Sequence, residues 1–153
     1  MVKITMASPL PMMIEDIENE IVEEFEVFDD WMQKYEYLIE LGKSLPLINQ
    51  KYKTQANIIT GCQSQVWMHS ELIDKHIVFT ADSDAIITKG MVALMIRVLS
   101  NHTPDEIINA KLNFVNKVGL TQHLSPTRSN GLLSMIRQMK MDAHVFKTKN
   151  PAM

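Results

Sequence analysis

The spacing of apolar residues predicts that the first part of the chain is helical. Between Met13 and Phe28, apolar side chains recur at every third or fourth position while acidic residues fill the other faces, as in an amphipathic helix packed on a core. A second apolar stripe follows, and Asp29 or Asp30 can cap its helix. Gly42 stands where this second helix should end. We therefore expect two consecutive helices before residue 45.

A third helix is predicted near the middle of the chain. Residues 85–99 are apolar on nearly every face, which is typical of a helix buried at the centre of a domain. Ser83 or Asp82 can cap it. Gly90 lies in its interior, where a glycine costs about 1 kcal/mol relative to alanine. We interpret this glycine as the mark of a close crossing with another backbone.

Two helix starts are visible in the last third of the chain. A capping-box pattern predicts a short helix that begins after Thr103. Thr103 is followed by a proline, and Glu106 lies three positions after Thr103. Residues 111–119 are expected to be irregular. Ser125 and the proline after it predict the start of a last helix that runs towards Ala143.

Between the second and third helices the pattern favours extended chain. Three segments have β signals: Asn57–Gly61, Gln65–Leu72 and Ile77–Ala81. They predict a small antiparallel sheet with Cys62 at one of its tips. Together with the flanking helices, this gives an α+β fold.

The length fits one domain with a continuous core. The chain has 153 residues, enough to form a core without disulfides or metal ions. We expect a flexible N-terminal extension at residues 1–13, a single domain at 14–144 and a flexible C-terminal tail at 145–153. No apolar run is long enough for a signal peptide or a membrane span. With one cysteine and no export signal, a cytoplasmic location is expected.

The charge distribution is uneven. The net charge of −3 is too small, and of the wrong sign, for a nucleic-acid-binding protein. Residues 1–42 carry −9 and residues 43–153 carry +6. The acidic first helix is either an ordinary solvated face or a docking surface.

Cys62 is the residue with the most informative chemistry. It is the only cysteine, so it cannot close an internal disulfide, form a CxxC pair or hold an iron–sulfur cluster by itself. Gly61 permits an unusual backbone angle, and Gln63, Ser64 and Gln65 offer hydrogen-bond donors to a sulfur anion. A buried structural cysteine is the alternative interpretation.

Other polar residues have simpler explanations available. A cysteine hydrolase would need a histidine base, and only His69 and His123 stay as candidates. Asp82 and Asp84 lie at a strand-to-helix junction, where capping explains at least one of them. Arg128 lies in the first turn of the last helix, where the helix dipole disfavours a cation. It indicates either an anionic partner, such as a thiolate, or a local salt bridge. No cluster with metal-ligand spacing is seen.

Four segments, in this order and spacing, resemble the SufE family of sulfur-acceptor proteins in iron–sulfur cluster assembly. The resemblance covers about residues 14–143. The segments are ELGKSLP (40–46), GCQSQVW (61–67), DSDAIITKG (82–90) and LSPTRSNGL (124–132).

The resemblance implies a fold and a function. The family fold is a three-stranded antiparallel sheet packed with helices, similar to IscU-type scaffolds. Cys62 would take a sulfane sulfur from the persulfide of a SufS-like cysteine desulfurase, stimulate that enzyme, and pass the sulfur to a downstream iron–sulfur scaffold complex. Pyridoxal phosphate would belong to the desulfurase, so this chain needs no cofactor of its own and is an accessory protein rather than a stand-alone enzyme. The sequence leaves a homodimer open. The supporting or docking residues expected around Cys62 are Arg128, Asp82, Asp84, Gln63, Ser64, Gln65 and His123.

Three rival functions stay open from the sequence. An IscU-like cluster scaffold would share the fold, but such scaffolds need several thiolates for each cluster. A cysteine-dependent hydrolase would use His69 or His123. A pure adaptor would carry Cys62 only as a structural residue.

Overall fold

A computed structural model describes residues 13–150 of the chain. Seven α-helices and one β-hairpin make up this part, and 3-10 turns at Gln50–Tyr52 and Gln55–Asn57 precede the hairpin. The elements are α1 (Ile14–Glu26), α2 (Trp31–Gly42), β1 (Val66–Ile73), β2 (His76–Ser83), α3 (Ile86–Leu99), α4 (Pro104–Asn109), α5 (Phe114–Lys117), α6 (Leu120–His123) and α7 (Pro126–Lys149). The extension expected at residues 1–13 lies, except for Met13, outside the described residues.

The first two helices form as the apolar stripes predict. Ile14, Ile21 and Phe25 of α1 are buried in the core. Asp30 caps α2, because its carboxylate accepts a hydrogen bond of 2.9 Å from the Gln33 backbone N–H. This bond satisfies one of the donors that a helix start leaves without an intrahelical partner.

Helix α3 is the buried centre of the molecule, and α2 crosses it at two glycines. A β-carbon on Gly42 would lie 3.0 Å from the backbone nitrogen of Gly90. Only a position without a side chain allows two helix backbones to approach this closely. The expectation of a close crossing at Gly90 is confirmed.

An ion-pair network ties α1 to α3. Arg97 donates to both carboxylate oxygens of Glu24 and, at 3.2 Å, to Glu20. Tyr37 of α2 also donates to Glu24. Burial and the hydrogen bond to Glu24 raise the pKa of Tyr37 to about 12. Part of the acidic first helix is therefore matched internally by a cation.

The sheet has two strands rather than the three expected. β1 and β2 pair antiparallel in register from Val66↔Ser83 to Ile73↔His76. The predicted strand Asn57–Gly61 is reduced to an isolated bridge between Ile58 and Trp67. The 3-10 turn before it and the left-handed conformation of Gly61 (φ +92°) bend the chain away from β1 before a ladder can form.

The start of α3 differs from the prediction. Its N-cap is Ala85, with no side-chain cap bond, whereas Ser83 or Asp82 was expected there. Ser83 is the last residue of β2, and its hydroxyl donates to the Gln65 carbonyl oxygen at 2.8 Å. Asp82 binds two lysines instead.

The last third is more helical than expected. The Thr103 capping box is confirmed, with both of its reciprocal hydrogen bonds present. The stretch 111–119 contains the short helix α5. Helix α7 continues through residues 145–149, where a loose tail was expected, because Phe146 packs on the core and Lys147 pairs with Asp105 at 2.7 Å. In residues 13–150 no helix is both long enough and apolar enough to cross a membrane.

Candidate functional site

Cys62 lies in a short loop between the Ile58 bridge and strand β1. Gly61 enters this loop with φ +92°, a conformation that side chains rarely adopt. The loop packs against the side of helix α7. A β-carbon on Gly131 of α7 would lie 3.6 Å from the Cys62 sulfur, which is ordinary contact. The tip predicted from the sequence is therefore present, but it rests on a helix.

The Cys62 thiol is half-buried and held in its protonated form. Its Sγ donates to the Gly131 carbonyl oxygen at 3.6 Å, a long contact typical of a weak sulfur donor. Burial raises the pKa of the Cys62 thiol, because the thiolate loses hydration that the neutral thiol hardly needs. In this conformation the sulfur is a poor nucleophile.

A cavity of about 180 Å³ opens beside the sulfur. It lies between the Cys62 loop, the first turns of α3 and the first turns of α7. This volume exceeds what a single water molecule needs. The lining residues are Cys62, Gln63, Ser64, Ala85, Ile86, Ile87, Thr88, Met91, Thr127, Arg128, Gly131 and Met135.

Arg128 lines this cavity together with Cys62. Its backbone N–H donates to the capping hydroxyl of Ser125 at 3.3 Å. Its side chain is exposed, and its guanidinium makes no ion pair or hydrogen bond within residues 13–150. The expected alternative, a salt bridge at the helix start, is therefore absent from the described part of the chain. A free cation beside a thiol is suited to stabilising a sulfur anion.

The polar residues after Cys62 divide into two groups. Gln63 and Ser64 line the cavity, and the Ser64 hydroxyl accepts from Thr88 at 3.4 Å. Gln65 instead closes the loop: its N–H donates to the Asp84 carboxylate at 3.1 Å, and its carbonyl accepts from the Asp84 N–H at 3.3 Å. Asp84 thus fixes the end of the loop.

Asp82 lies away from the cavity. Its carboxylate binds Lys53 at 2.9 Å and Lys89 at 3.3 Å. Burial alone would raise the pKa of Asp82, but hydrogen bonds from Lys53, the Ser83 N–H and Lys89 hold it below its ordinary value. The same Lys53 ammonium lies 4.6 Å from the centre of the Trp67 ring. These contacts give Asp82 a structural role at the end of the hairpin.

The two candidate histidines are not at the cavity. His123 is exposed and stacks on Trp31, with ring centres 4.3 Å apart. His69 stacks on Tyr52 at 3.6 Å and binds Glu71 at 3.0 Å. Neither is among the residues that line the cavity with Cys62. The geometry therefore gives the thiol no histidine base there.

Sequence reasoning missed the residues of α7 on which the Cys62 loop rests. Gly131 contacts the sulfur, and Ser134 contacts Gly61. A glycine inside a predicted helix was an available signal for Gly131, as it was for Gly90. Ser134 carries no such signal, because a serine on a helix is ordinary. Within residues 13–150 no group of three His, Cys, Asp or Glu side chains could hold a metal ion.

The fold and the site define a small α+β protein that presents a single thiol on a loop beside a cavity. The model of the SufE family, described as an Fe–S metabolism associated domain, matches residues 19–143. The chain belongs to the SufE family. Membership implies a sulfur-transfer role in iron–sulfur metabolism and an interaction with a cysteine desulfurase.

Two relatives support this assignment. An uncharacterised SufE-like protein of Rhizobium meliloti (strain 1021) is 38% identical over 130 residues, covering 82% of this chain and 93% of that protein. SufE-like protein 1, chloroplastic/mitochondrial, of Arabidopsis thaliana is 39% identical over 132 residues, covering 86% of this chain and 36% of that protein. The chain thus spans about a third of the plant relative.

The solution structure of a hypothetical protein from Thermus thermophilus has a TM-score of 0.72 to this chain at 16% identity. The match covers 86% of this chain and 96% of that one, and it shows the same fold.

Proposed function

We propose that the protein is a sulfur acceptor that takes a sulfane sulfur onto Cys62 from the persulfide of a cysteine desulfurase. One observation carries the proposal: the only thiol of the chain is half-buried on a loop that opens into a cavity with room for another atom. An S–S bond is about 2 Å long, so the terminal sulfur of a Cys62 persulfide fits inside a cavity of about 180 Å³.

The transfer is a thiol exchange that balances without an added oxidant. The Cys62 thiolate attacks the outer sulfur of the donor persulfide, and a new S–S bond forms on Cys62. The donor's S–S bond breaks, and its electron pair leaves with the donor cysteine, which becomes a thiolate again. The sulfane sulfur keeps its oxidation level. Since the donor thiol is free for another cycle, desulfurase turnover rises.

The thiol must lose its proton before it attacks. Its burial against α7 opposes ionisation, so deprotonation is favoured when the loop leaves the helix and Sγ reaches water or a cation. Arg128 is the cation that lines the cavity, and we propose that it stabilises the thiolate or the persulfide anion. Asp84 limits the loop's movement by holding Gln65.

The remaining assignments belong to the same proposal. Pyridoxal phosphate acts in the donor enzyme, and the sulfur passes from Cys62 to a downstream scaffold complex. The cytoplasmic location and a homodimer stay predictions, as does a docking role for His123. A second thiol in the carrier would discharge the persulfide as sulfide, so a single cysteine suits this function.

The test mixes the protein with a pyridoxal-phosphate-dependent cysteine desulfurase and free cysteine, then measures intact mass. We expect a gain of one sulfur atom that is absent in Cys62→Ser. Oxidation of the thiol to a sulfinic acid adds nearly the same mass, so each sample is also treated with a reductant. A persulfide is removed by this treatment, whereas a sulfinic acid persists. No reducible gain with any desulfurase from the same cell would overturn the proposal.

A parallel assay separates the acceptor from a pure adaptor. Alanine release by the desulfurase is measured with the wild-type protein and with Cys62→Ser. An acceptor loses its stimulation in the variant, whereas an adaptor with a structural cysteine keeps it.

A further inference from the structure

We infer that Ser134 is a positioning residue for Cys62, and that Gly131 and Ser134 form a seat on α7 that holds the cysteine loop closed. The inference rests on the proposed function, because it concerns the resting position of the same thiol. It adds a residue that lies on α7, outside the cysteine segment.

The first observation is the match between Gly61 and Ser134. A β-carbon on Gly61 would overlap the Ser134 hydroxyl oxygen and lie 3.3 Å from the Ser134 β-carbon. The serine hydroxyl therefore occupies the place where any side chain at position 61 would go. Gly61 is exposed and Ser134 is partly buried, so a side chain at position 61 would require the Ser134 hydroxyl to rotate or the loop to move off α7.

The second observation is the spacing of the seat. Gly131 and Ser134 are three residues apart on α7, so they face the same side of the helix. The Cys62 sulfur contacts Gly131, and Gly61, one position earlier in the loop, lies against Ser134. Two consecutive loop residues thus rest on two small residues of one helix face.

The third observation concerns what holds the loop elsewhere. Its far end is fixed by Gln65 to Asp84 and Ser83, and its near end by the Ile59 N–H, which donates to the Val66 carbonyl at 2.8 Å. Between these points, the described contacts of Gly61 and Cys62 are with α7. Removing the seat releases the sulfur while both ends of the loop stay attached.

The seat sets how often the sulfur is exposed. With the loop on α7, the thiol is half-buried and its pKa is raised. A loop lifted off α7 gives the sulfur its hydration back. A larger side chain at position 134 therefore exposes Cys62 without any partner.

The first experiment replaces Ser134 by leucine and measures alkylation of Cys62 by iodoacetamide across a pH series, with the same variant in urea as reference. Because overpacking disfavours the closed loop, we expect the rate near neutral pH to rise about tenfold or more. The midpoint of the pH profile should fall towards that of the unfolded chain. His144→Leu, at an exposed position on the same helix, is the control and should behave as wild type.

An unchanged alkylation rate in a folded Ser134→Leu protein would overturn the inference. Folding is checked by circular dichroism and by a cooperative thermal transition. A rise in rate without a fall in the pH midpoint would also count against a closed seat, since it would show general loosening.

A second experiment covers the case in which Ser134→Leu does not fold. Gly61→Ala is compared in the wild type and in Ser134→Ala, which removes the overlapping oxygen and leaves a β-carbon at 3.3 Å. Both backgrounds share the strain of φ +92°, so a difference between them reports the contact alone. We expect Gly61→Ala to accelerate alkylation several-fold more in the wild type, by the logic of a double-mutant cycle. Equal effects in both backgrounds would refute the pairing.

Neither experiment involves a desulfurase. If the protein never gains sulfur, the proposed function is wrong, but the alkylation result remains valid. If the protein gains sulfur but substitution of Ser134 does not change the alkylation of Cys62, only this inference is wrong.

Discussion

Gly90 of α3 lies directly against the backbone of Leu38 in α2. A β-carbon at position 90 would overlap the Leu38 carbonyl oxygen and lie 2.7 Å from its carbonyl carbon. The obstacle is backbone, which cannot rotate out of the way as a side chain can. The distance between the two central helices therefore depends on one missing methyl group.

We predict that Gly90→Ala destabilises the protein although alanine is the better helix former. Overpacking at a backbone contact costs about 1–3 kcal/mol, which exceeds the gain of about 1 kcal/mol in helix propensity. Gly131→Ala is the matched control in α7, because its β-carbon would meet the Cys62 sulfur at an ordinary 3.6 Å. Urea denaturation should give a lower midpoint for Gly90→Ala and an equal or higher one for Gly131→Ala. A stabilised Gly90→Ala would contradict the close crossing.

The Arg97–Glu24 pair predicts a pH dependence of stability. The hydrogen bond from Arg97 is the main cause that holds the pKa of Glu24 below its ordinary value of 4.5. A carboxyl with a depressed folded-state pKa stabilises the protein fully above its unfolded pKa and loses this contribution as pH falls through the folded one. Arg97→Met should therefore cost about 1–2 kcal/mol near neutral pH, as for partly buried charged hydrogen bonds, and less below about pH 4.5.

The check is the free energy of unfolding of wild type and Arg97→Met, measured from about pH 7 to about pH 3, a range that spans the titration of the carboxyl. The difference in the free energy of unfolding between wild type and Arg97→Met should become smaller at the acidic end of this range. Arg137→Met, at an exposed position of α7, should give little difference at any pH. A constant gap for Arg97→Met would show that the side chain acts through packing alone.

Asp84 should control the mobility of the cysteine loop. Asp84→Ala removes the acceptor of the Gln65 N–H, and we expect a loss of about 1 kcal/mol in stability, as for a single hydrogen bond. Alkylation of Cys62 should become faster, because one end of its loop is released. Asp29→Ala serves as the control, since Asp29 is exposed and lies just before α2, far from Asp84 in the sequence. Equal alkylation rates in Asp84→Ala and the wild type would show that Asp84 does not restrain the cysteine loop.

Reactivity of Cys62 should rise on unfolding. Burial raises the pKa of the folded thiol, so a smaller fraction is thiolate at neutral pH than in a free cysteine. Alkylation followed against pH should give a midpoint above the ordinary thiol value in buffer and an ordinary one in urea. A folded midpoint below the ordinary value would mean that Arg128 outweighs burial in the resting protein.

Local patterns accounted for much of the helical fold. The buried stripe of α1, the capping box at Thr103 and the close approach at Gly90 each depend on residues near one another in sequence or on a glycine in an unfavourable place. These signals are readable because their cause lies within a few positions. Cys62 and Arg128 were also singled out from local signals, and the family resemblance added a named role for the cysteine.

One error has a local cause, and the others have non-local ones. The predicted strand Asn57–Gly61 failed because a 3-10 turn and Gly61 bend it, leaving one bridge to Trp67. Residues 145–149 of the expected loose tail are helical because Phe146 and Lys147 find partners in earlier elements. His123 could not be placed from sequence, since its stacking partner Trp31 lies far away along the chain. Tertiary contacts decide such cases.

The two-stranded hairpin has both of its outer edges occupied. Ile58 bridges β1, while Leu47 and His102 bridge β2, each at a single position. An open strand edge is a template on which another copy of a chain can add itself, and proteins commonly block it with short covering segments. Here the covering segments come from three separate parts of the chain. Next to the Cys62 loop, the edge of β1 is therefore paired within the chain at Ile58, and a second copy could add a strand there only by breaking that bridge.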